Sequence, residues 1–504
     1  MISIFRCLIE LETPLHCGGG ENNGFDQPVI RDGYGLYRIP GSSIAGILRA
    51  SAVQAGTPAA LVDRAFGFIE HGKAEGKASG SCIWCQDALL LDLDNTLAVA
   101  KAMKGDQVSP VFSGIYIRDH VRLDLEKGAA IQGGKFDEEF APAGCRFVME
   151  IRLDGWTGPV QKEMQELFVS LCSSVRHGAI RFGGKAAEGF GRIRCLDASL
   201  RSYDLTDAQQ MEAWLNLPSL PYENKQLFPA SSGKEVTLPA LTLHRGNAEK
   251  NLIDSWVRAN LEAAGPLLVG GGSRAVSQAE KVDSNEKQAD MLFYMEPYLD
   301  YEKKTARWKR VVPGSSLRGV LRQRVYAIAL VLFGRKERAE AVLDSIFGCV
   351  KADQTRPGKI AVQDAPLPEA KPTLVQHVAI DRFTGGALDG ALFAEAPVWK
   401  DKMRLPFYLH IHGLAPAEGA LLLHALMDLA EGFLPVGGGT NRGNGVLLLT
   451  GLGAGPEKKW QDALKQLEFS FNWQGKTLNR ENAQEAQNWL ERLDTELHAA
   501  QEVQ

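Results

Sequence analysis

Two kinds of short motif in this chain could bind phosphate groups: glycine-rich loops, and turns that place two serines at a helix start. The first loop is Gly18-Gly19-Gly20, and the first turn is Pro40-Gly41-Ser42-Ser43. Glycine lets backbone N–H groups approach an anion, and a helix N-terminus presents unpaired N–H groups with partial positive charge. We expect Ser42 or Ser43 to cap that helix. One such turn alone more often caps a helix than binds a ligand.

Both motifs occur twice, in the same order, roughly 250 residues apart, which is too long a period for a solenoid. Six landmarks match between the halves, and a basic residue follows the first serine of each turn by seven positions. The pattern predicts a tandem duplication of one domain. The matched landmarks are Gly18–Gly20 with Gly270–Gly272, Ile39–Arg49 with Val312–Arg322, Phe66–Gly67 with Phe347–Gly348, Gln86–Ala88 with Gln363–Ala365, His120 and Asp124 with His377 and Asp381, and Gly183–Gly191 with Gly437–Gly445.

Each copy predicts the element order β-α-β-β-α-β, which is typical of an α+β, ferredoxin-like fold. The expected strands of the first copy lie near residues 2–12, 82–91, 145–153 and 192–200, and those of the second near 252–262, 359–367, 404–412 and 443–452. We expect helices after each PGSS turn, including 315–332, and near 164–177 and 417–432. The predicted domains are 1–200 and 250–455, separated by a linker at 201–249 and followed by a helical tail at 456–504.

The positions of the basic residues matter more than the total charge. The chain has 504 residues, a net charge of −5 and a pI near 6.1, which alone argues against a nucleic-acid ligand. The segment from Tyr301 to Arg324, however, holds eight basic residues and one acid, a local charge of +7. Such segregation favours contact with a phosphate backbone, although charge runs are often only solvated surface.

Other sites are less well supported. The loop from Gly437 to Gly445 resembles a nucleotide fingerprint, but it follows a helix and precedes a strand, the reverse of the order that a dinucleotide or ATP site needs. Cys82 and Cys85 are the best zinc candidates, yet residues three apart on a strand point to opposite faces, so we expect no zinc. Because no signal peptide or apolar membrane span occurs, we expect a soluble, cytoplasmic protein.

Taken together, the segments LETPLHCGGG, FDQPVIRDGYGLYRIPGSSIAGILRA and HVAIDRFTGGA and the GGxxxxGxG loop resemble the RAMP-superfamily backbone subunits of type III CRISPR–Cas effector complexes. The resemblance covers both copies, and the fusion is similar to the tandem backbone proteins of type III-D-like systems. It implies two RNA-recognition-motif-like RAMP domains that bind CRISPR guide RNA, complementary target RNA and other subunits of the complex. It also implies long thumb-type hairpin insertions, at about 115–144 and 375–402, that interrupt the guide–target duplex.

The resemblance further implies endoribonuclease activity on guide-paired target RNA, with cuts at regular intervals. Family members that cut carry an Asp in the pattern D-x-P-V-I-x-D, which places the catalytic, metal-binding residue at Asp26. The second copy lacks this pattern; Asp290 is its best counterpart and Asp283 the next. A carboxylate beside the bound strand could hold Mg²⁺ or Mn²⁺, or take a proton from a ribose 2′-OH.

The candidate RNA contacts come from the glycine loops, the PGSS turns, the basic positions and the two thumbs. They are Gly18, Gly19, Gly20, Ser42, Ser43, Arg49, His120, Gly183, Gly184, Gly270, Gly271, Gly272, Arg310, Ser315, Ser316, Arg318, Arg322, His377, Arg382, Gly438, Gly439 and Arg442.

Three other functions stay open at this point. The chain could be a non-catalytic scaffold that only holds guide RNA and neighbouring subunits. It could be a guide-processing RAMP endonuclease, for which His177 is the histidine nearest a glycine loop; the matching region of the second copy, around Glu431, has none. A metabolic ferredoxin-like enzyme is the remote alternative.

Overall fold

The chain folds as two α+β copies in tandem, each built on one antiparallel sheet. A computed structural model describes residues 1–20, 26–69, 78–155, 162–218, 220–222, 225–229, 232–240, 253–270, 289–351 and 354–454. The tail expected at 456–504 lies outside the described residues.

The first copy contains eleven strands and five helices among its described residues. The strands are β1 (Ile2–Leu11), β2 (Arg38–Ile39), β3 (Phe68–Ile69), β4 (Ala78–Ser79), β5 (Ile83–Cys85), β6 (Ala88–Leu90), β7 (Ile117–Leu123), β8 (Ala130–Glu139), β9 (Arg146–Asp154), β10 (Ile193–Tyr203) and β11 (Lys234–Glu235). The helices are α1 (Gly41–Gln54), α2 (Ala59–Phe66), α3 (Ala98–Lys104), α4 (Lys162–Arg176) and α5 (Ala208–Leu215).

The second copy repeats this arrangement with a longer β-hairpin before its first helix. The strands are β12 (Ile253–Ala263), β13 (Met291–Leu292), β14 (Met295–Asp300), β15 (Thr305–Val312), β16 (Cys349–Lys351), β17 (Gln354–Arg356), β18 (Ile360–Val362), β19 (Ala365–Pro366), β20 (Val375–Ile380), β21 (Ala387–Ala396), β22 (Arg404–Leu414) and β23 (Leu447–Ala454). The helices are α6 (Gly314–Phe333), α7 (Lys336–Phe347) and α8 (Pro416–Ala430).

The sheets have corresponding strand orders. In the first copy, β1 lies between β10 and β9, and β5 and β6 both pair with β9; in the second, β12 lies between β23 and β22, and β18 pairs with β22. All these pairings are antiparallel, and the elements follow the β-α-β-β-α-β order predicted from sequence. In place of the one strand expected at 82–91 there are two short strands, β5 and β6, separated by Gln86 and Asp87.

Strand β1 is buried on both faces, and the segment predicted as a linker provides part of that cover. Successive side chains on a strand point to opposite faces. On one face, Cys7 belongs to the same buried core as Cys172 of α4. On the other, Arg6 donates to Glu150 at 2.6 Å and to the carbonyl of Leu227 at 3.0 Å. The described residues between 201 and 240 therefore pack in part against the first copy, and they also add β11 to the edge of its sheet.

The two copies meet at a buried ionic cluster. Arg118 on β7 is 1% exposed, and it donates to Glu296 at 2.9 Å and to Asp364 at 2.8 Å. Tyr294 donates to the same glutamate at 2.6 Å. Glu296 lies on β14 of the β14–β15 hairpin. Leu299, on the same strand, packs into the core of the first copy. The hairpin that lengthens the second copy thus serves as its contact with the first.

Candidate functional site

Asp26 and Asp137 hold each other at the base of the β7–β8 hairpin. The backbone N–H of Asp26 donates to Oδ1 of Asp137 at 2.9 Å, and the backbone N–H of Asp137 donates to Oδ2 of Asp26 at 3.0 Å. The next residue, Gln27, lies beside Glu138 in a parallel bridge. Asp26 is exposed. Each carboxylate therefore accepts a hydrogen bond from the other residue's backbone, and Asp26 lies at a point that solvent and a bound strand could reach.

Asp290 occupies the same position in the second copy. Its backbone N–H donates to the carbonyl of Ala394, and the N–H of Ala394 donates to Oδ2 of Asp290, both at 2.8 Å. Met291 then lies beside Glu395 in a parallel pair, as Gln27 lies beside Glu138. Asp290 is thus the structural counterpart of Asp26, whereas Asp283 lies outside the described residues. The two sites differ at one acid, because Ala394 stands where the first copy has Asp137.

A buried glutamate lies beneath each of these aspartates. Glu138 is fully buried, with His120 Nε2 at 3.0 Å, His16 Nδ1 at 3.5 Å and Lys185 Nζ at 3.9 Å. Burial alone would raise the pKa of Glu138, but His120, Lys185 and His16 outweigh burial and hold the pKa below its ordinary value. His120 also stacks on Phe136 at 4.9 Å. The glutamate is therefore a carboxylate at neutral pH, surrounded by basic groups.

The second copy repeats this arrangement with a different cation. Glu395 is fully buried, His377 Nε2 lies 3.2 Å from it, and Arg442 donates to it. His377 stacks on Phe393 at 4.9 Å. The ring of His120 is thus buried against Glu138, and His377 and Arg442 likewise have an internal carboxylate partner. RNA contact by these three residues stays a prediction.

The glycine loops pack first against the protein's own backbone. A Cβ on Gly183 would lie 2.3 Å from the carbonyl of His16, and one on Gly19 would lie 3.0 Å from the backbone of Ile30. Glycine is required there for close packing between loops. Five other described glycines predicted to contact RNA have more open space around them: Gly18, Gly20, Gly184, Gly270 and Gly438. Gly439 faces the side chain of Asn444. Gly271 and Gly272 lie outside the described residues.

The PGSS helices are capped by aspartates from elsewhere in the chain, so the N-cap prediction for Ser42 or Ser43 was wrong. Helix α1 begins at Gly41, whose N–H donates to Asp87 at 2.8 Å. In the second copy the N–H of Gly314 donates to Asp364 at 2.7 Å. A carboxylate of the protein thus satisfies the helix start that we expected to bind phosphate. RNA contact by Ser42, Ser43, Ser315 and Ser316 stays a prediction.

Several predicted basic contacts are used inside the protein. Arg49 pairs with Asp63 at 2.8 Å, Arg318 donates to the carbonyl of Phe347, and Arg310 donates to that of Ala370. Burial lowers the pKa of Arg318 and of Arg322.

Two further bases of the +7 segment also have acidic partners. Arg307 pairs with Asp300 at 3.0 Å and Arg324 with Asp428 at 2.5 Å. The segment itself is a hairpin strand followed by a helix start rather than one basic helix face. The segregated phosphate-binding surface expected at 301–324 is therefore smaller than its charge suggested.

Comparison with known proteins identifies the domain that is repeated. The sequence profile of the RAMP superfamily matches residues 8–194 and again residues 260–447. The chain belongs to the RAMP superfamily. The two matches coincide with the two copies, so the tandem arrangement of RAMP domains predicted from sequence is confirmed.

A characterised relative of these RAMP domains is the "CRISPR system Cms endoribonuclease Csm3" of Methanocaldococcus jannaschii. It is 28% identical over 210 residues, which cover 39% of this chain and 79% of that protein. The aligned length is that of about one RAMP domain of this chain.

Each RAMP domain carries an exposed hairpin next to its aspartate. The β7–β8 hairpin of the first domain and the β20–β21 hairpin of the second lie where thumb insertions were expected. At the tip of the second hairpin Arg382 is exposed and Phe383 is 97% exposed. Arg382 is therefore one of the predicted basic residues best placed to contact an external ligand.

Two further candidates of the first RAMP domain, His177 and Cys85, lie close to or are buried by other parts of the protein. His177 directly follows α4, and its Nδ1 lies 2.8 Å from the carbonyl of Ser173 in that helix. Burial raises the pKa of the Cys85 thiol to about 12, which disfavours the thiolate that zinc binds.

No helix in the described part of the chain is long and apolar enough to cross a membrane.

Sequence reasoning missed the residues on which both sites are built. Glu138 and Glu395 are each the last residue of a Phe-x-Glu motif on the second strand of a hairpin, which begins at Phe136 and at Phe393. The motif occurs in both copies, so the same comparison that paired the glycine loops could have found it. Asp137 lies inside it and was not considered.

Proposed function

We propose that this protein is a guide-RNA-binding backbone subunit of a type III CRISPR interference complex that cleaves complementary target RNA through Asp26. The observation that carries the proposal is the matched placement of Asp26 and Asp290, each fixed to the base of an exposed hairpin in a RAMP domain. The name of the archaeal relative, an endoribonuclease of a CRISPR system, supports the same reaction class. The proposed partners are CRISPR guide RNA, complementary target RNA and other subunits of the complex in the cytoplasm.

The proposed domain class is ferredoxin-like, similar to an RNA-recognition motif. The order of the core strands supports it, because the first strand lies between the fourth and the third, and the second pairs with the third, all antiparallel. The face of β1 that carries Arg6 is covered by Leu227 and Phe228 in the first domain. Guide RNA is therefore proposed to follow the glycine loops and the hairpins rather than that face.

The hairpins are proposed to act as thumbs that interrupt the guide–target duplex. Their strands β7, β20 and β21 carry exposed apolar side chains, which are Val121, Leu123, Val378, Ile380 and Leu392. Apolar side chains can wedge between base steps and unstack them. A wedge at each domain would present one unpaired target nucleotide to each aspartate, giving two cuts per chain.

The chemistry at the first site follows from two adjacent carboxylates. Asp26 and Asp137 supply oxygen donors, which suit Mg²⁺ or Mn²⁺, so the residues present fit such an ion. When bound, the ion supplies charge stabilisation at the scissile phosphate. Asp26 is proposed to accept the proton of a ribose 2′-OH as that oxygen attacks the adjacent phosphorus in line. The bond from that phosphorus to the 5′ oxygen of the next nucleotide then breaks, which leaves a 2′,3′-cyclic phosphate on one fragment, and the departing 5′ oxygen takes a proton from water. In the second domain Ala394 removes one donor, so cleavage there is proposed to be weaker.

The reaction can be tested in the reconstituted complex with labelled target RNA. A single 2′-deoxy nucleotide at the position facing Asp26 should abolish that cut alone, and a chelator of divalent ions should abolish both. A complex that binds target RNA but leaves it intact with and without added Mg²⁺ would instead support the scaffold alternative.

A further inference from the structure

We propose that the first RAMP domain binds a divalent transition-metal ion through His120, Glu138 and Glu188. These residues come from both strands of the β7–β8 hairpin and from the glycine loop that follows α4. One donor atom of each lies within 4.8 Å of the others. The site is distinct from Asp26, which is not in this group, and it does not depend on the proposed cleavage reaction.

The donor atoms are buried, and apart from the 3.0 Å contact between His120 Nε2 and Glu138 Oε2 they have no hydrogen-bonding partner within the part of the chain that the structure describes. This holds for both carboxylate oxygens of Glu138, for Nε2 of His120 and for Oε2 of Glu188. Glu138 is fully buried. Buried polar groups without a partner are rare in native proteins, and an ion between them is one of the few physical reasons for the arrangement. The closest approach, His120 Nε2 to Glu138 Oε2 at 3.0 Å, fits two ligands of one ion.

The second domain shows what takes the place of the ion there. Counting back from Gly189 and Gly443, Glu188 and Arg442 occupy the same position in the two glycine loops. In the second domain the Arg442 guanidinium bonds to Glu395 and supplies a positive charge beside the His377 pair. In the first domain a second carboxylate replaces that guanidinium. The first domain therefore has two acids where the second has an acid and a base.

Nearby basic side chains compensate this charge only in part. Lys185 Nζ lies 3.9 Å from Glu138 and over the ring of Phe136, beyond hydrogen-bonding distance. His16 directs Nδ1 to the carbonyl of Glu139 at 2.8 Å, so its interaction with Glu138 is secondary. Arg318 acts on Glu188 electrostatically but donates to the carbonyl of Phe347.

The ligand set indicates the class of ion. One imidazole nitrogen and two carboxylate oxygens suit Zn²⁺ or Mn²⁺, whereas Mg²⁺ prefers oxygen ligands alone. Glu188 lies at the junction between the copies, because a Cβ on Gly314 of α6 would lie 2.7 Å from its carbonyl. A bound ion would therefore tie the first thumb to the glycine loop beside the second domain.

The test measures bound Zn²⁺ and Mn²⁺ on the full chain in an Asp26→Ala background, which removes any ion that Asp26 holds. We expect one ion per chain. Adding Glu188→Gln should weaken binding at least about tenfold. Adding Glu188→Arg should abolish binding, while the chain keeps its melting temperature in chelator because a guanidinium replaces the ion, as in the second domain.

The matched control is Glu166→Gln, an exposed acid on α4, which should retain the ion. Circular dichroism checks that each variant folds. The proposal is overturned if the Asp26→Ala chain binds neither ion at micromolar concentration. It is equally overturned if the folded Glu188→Gln or Glu188→Arg chain binds an ion as tightly as its parent.

Discussion

Arg118 of the first domain and Asp364 of the second form a buried ion pair, with Nη2 2.8 Å from Oδ2. Asp364 also accepts from the backbone N–H of Gly314, the first residue of α6. Burial would lower the pKa of Arg118, but Asp364 and Glu296 outweigh it and raise the pKa well above its ordinary value. The base of one thumb is thereby fixed to a helix start in the other domain.

This pair predicts a large effect of one substitution on stability. Arg118→Met leaves Glu296 and Asp364 buried without their cation, which should cost about 3–5 kcal/mol of unfolding free energy. Urea denaturation of the full chain measures it. Arg122→Met, an exposed arginine on the same strand, is the control and should change the free energy by less than about 0.5 kcal/mol. Equal effects of the two substitutions would show that the pair does not join the domains.

A second ionic cluster predicts a pH dependence. Asp92 is 1% exposed; burial would raise its pKa, but Lys101 at 2.5 Å and the backbone N–H groups of Ser109 and Leu93 lower it below its ordinary value of 3.8. The stabilisation is therefore present above about pH 3.8 and is lost as the pH falls through the folded-state pKa.

Asp92→Asn should consequently destabilise the chain near neutral pH and progressively less in acid. Urea denaturation of both chains across this pH range measures the difference. A difference that stayed constant through the acid range would mean that the carboxylate charge contributes nothing.

The fold was largely predictable because its determinants repeat. The glycine loops and the Ile39–Arg49 and Val312–Arg322 segments gave the duplication and the element order, since local spacing sets strands and helices. Capping of α1 by Asp87 was not predictable, because that contact joins residues 46 positions apart. The burial of Arg318 was missed for the same reason. Its charge is visible in the sequence, but the Phe347 carbonyl that satisfies it is set by tertiary packing.

The exposed tip of the second thumb predicts a specific change in RNA binding. Arg382→Ala should weaken binding of guide-paired target RNA and lower the slope of log affinity against log salt by about one, as expected for one lost phosphate contact. Arg404→Ala is the matched control, because that arginine is also exposed but pairs with Glu262 at 2.7 Å. An unchanged salt slope for Arg382→Ala would remove the tip from the RNA interface.

The difference between the two aspartate sites predicts unequal cleavage. Asp137→Ala gives the first site the composition of the second and should slow the first cut by about tenfold or more. Ala394→Asp should speed the second cut. Timed gels that resolve the two products measure both rates. If neither rate changes, the neighbouring carboxylate has no part in cleavage.

The most direct test of the central claim is product mapping with Asp26→Ala in the assembled complex. Guide RNA and end-labelled complementary target are incubated with Mg²⁺, and the fragments are resolved at single-nucleotide length. The account predicts that the product of the first domain disappears while guide RNA remains bound and Asp290→Ala affects only the other product. An Asp26→Ala complex with an unchanged set of fragments would contradict it.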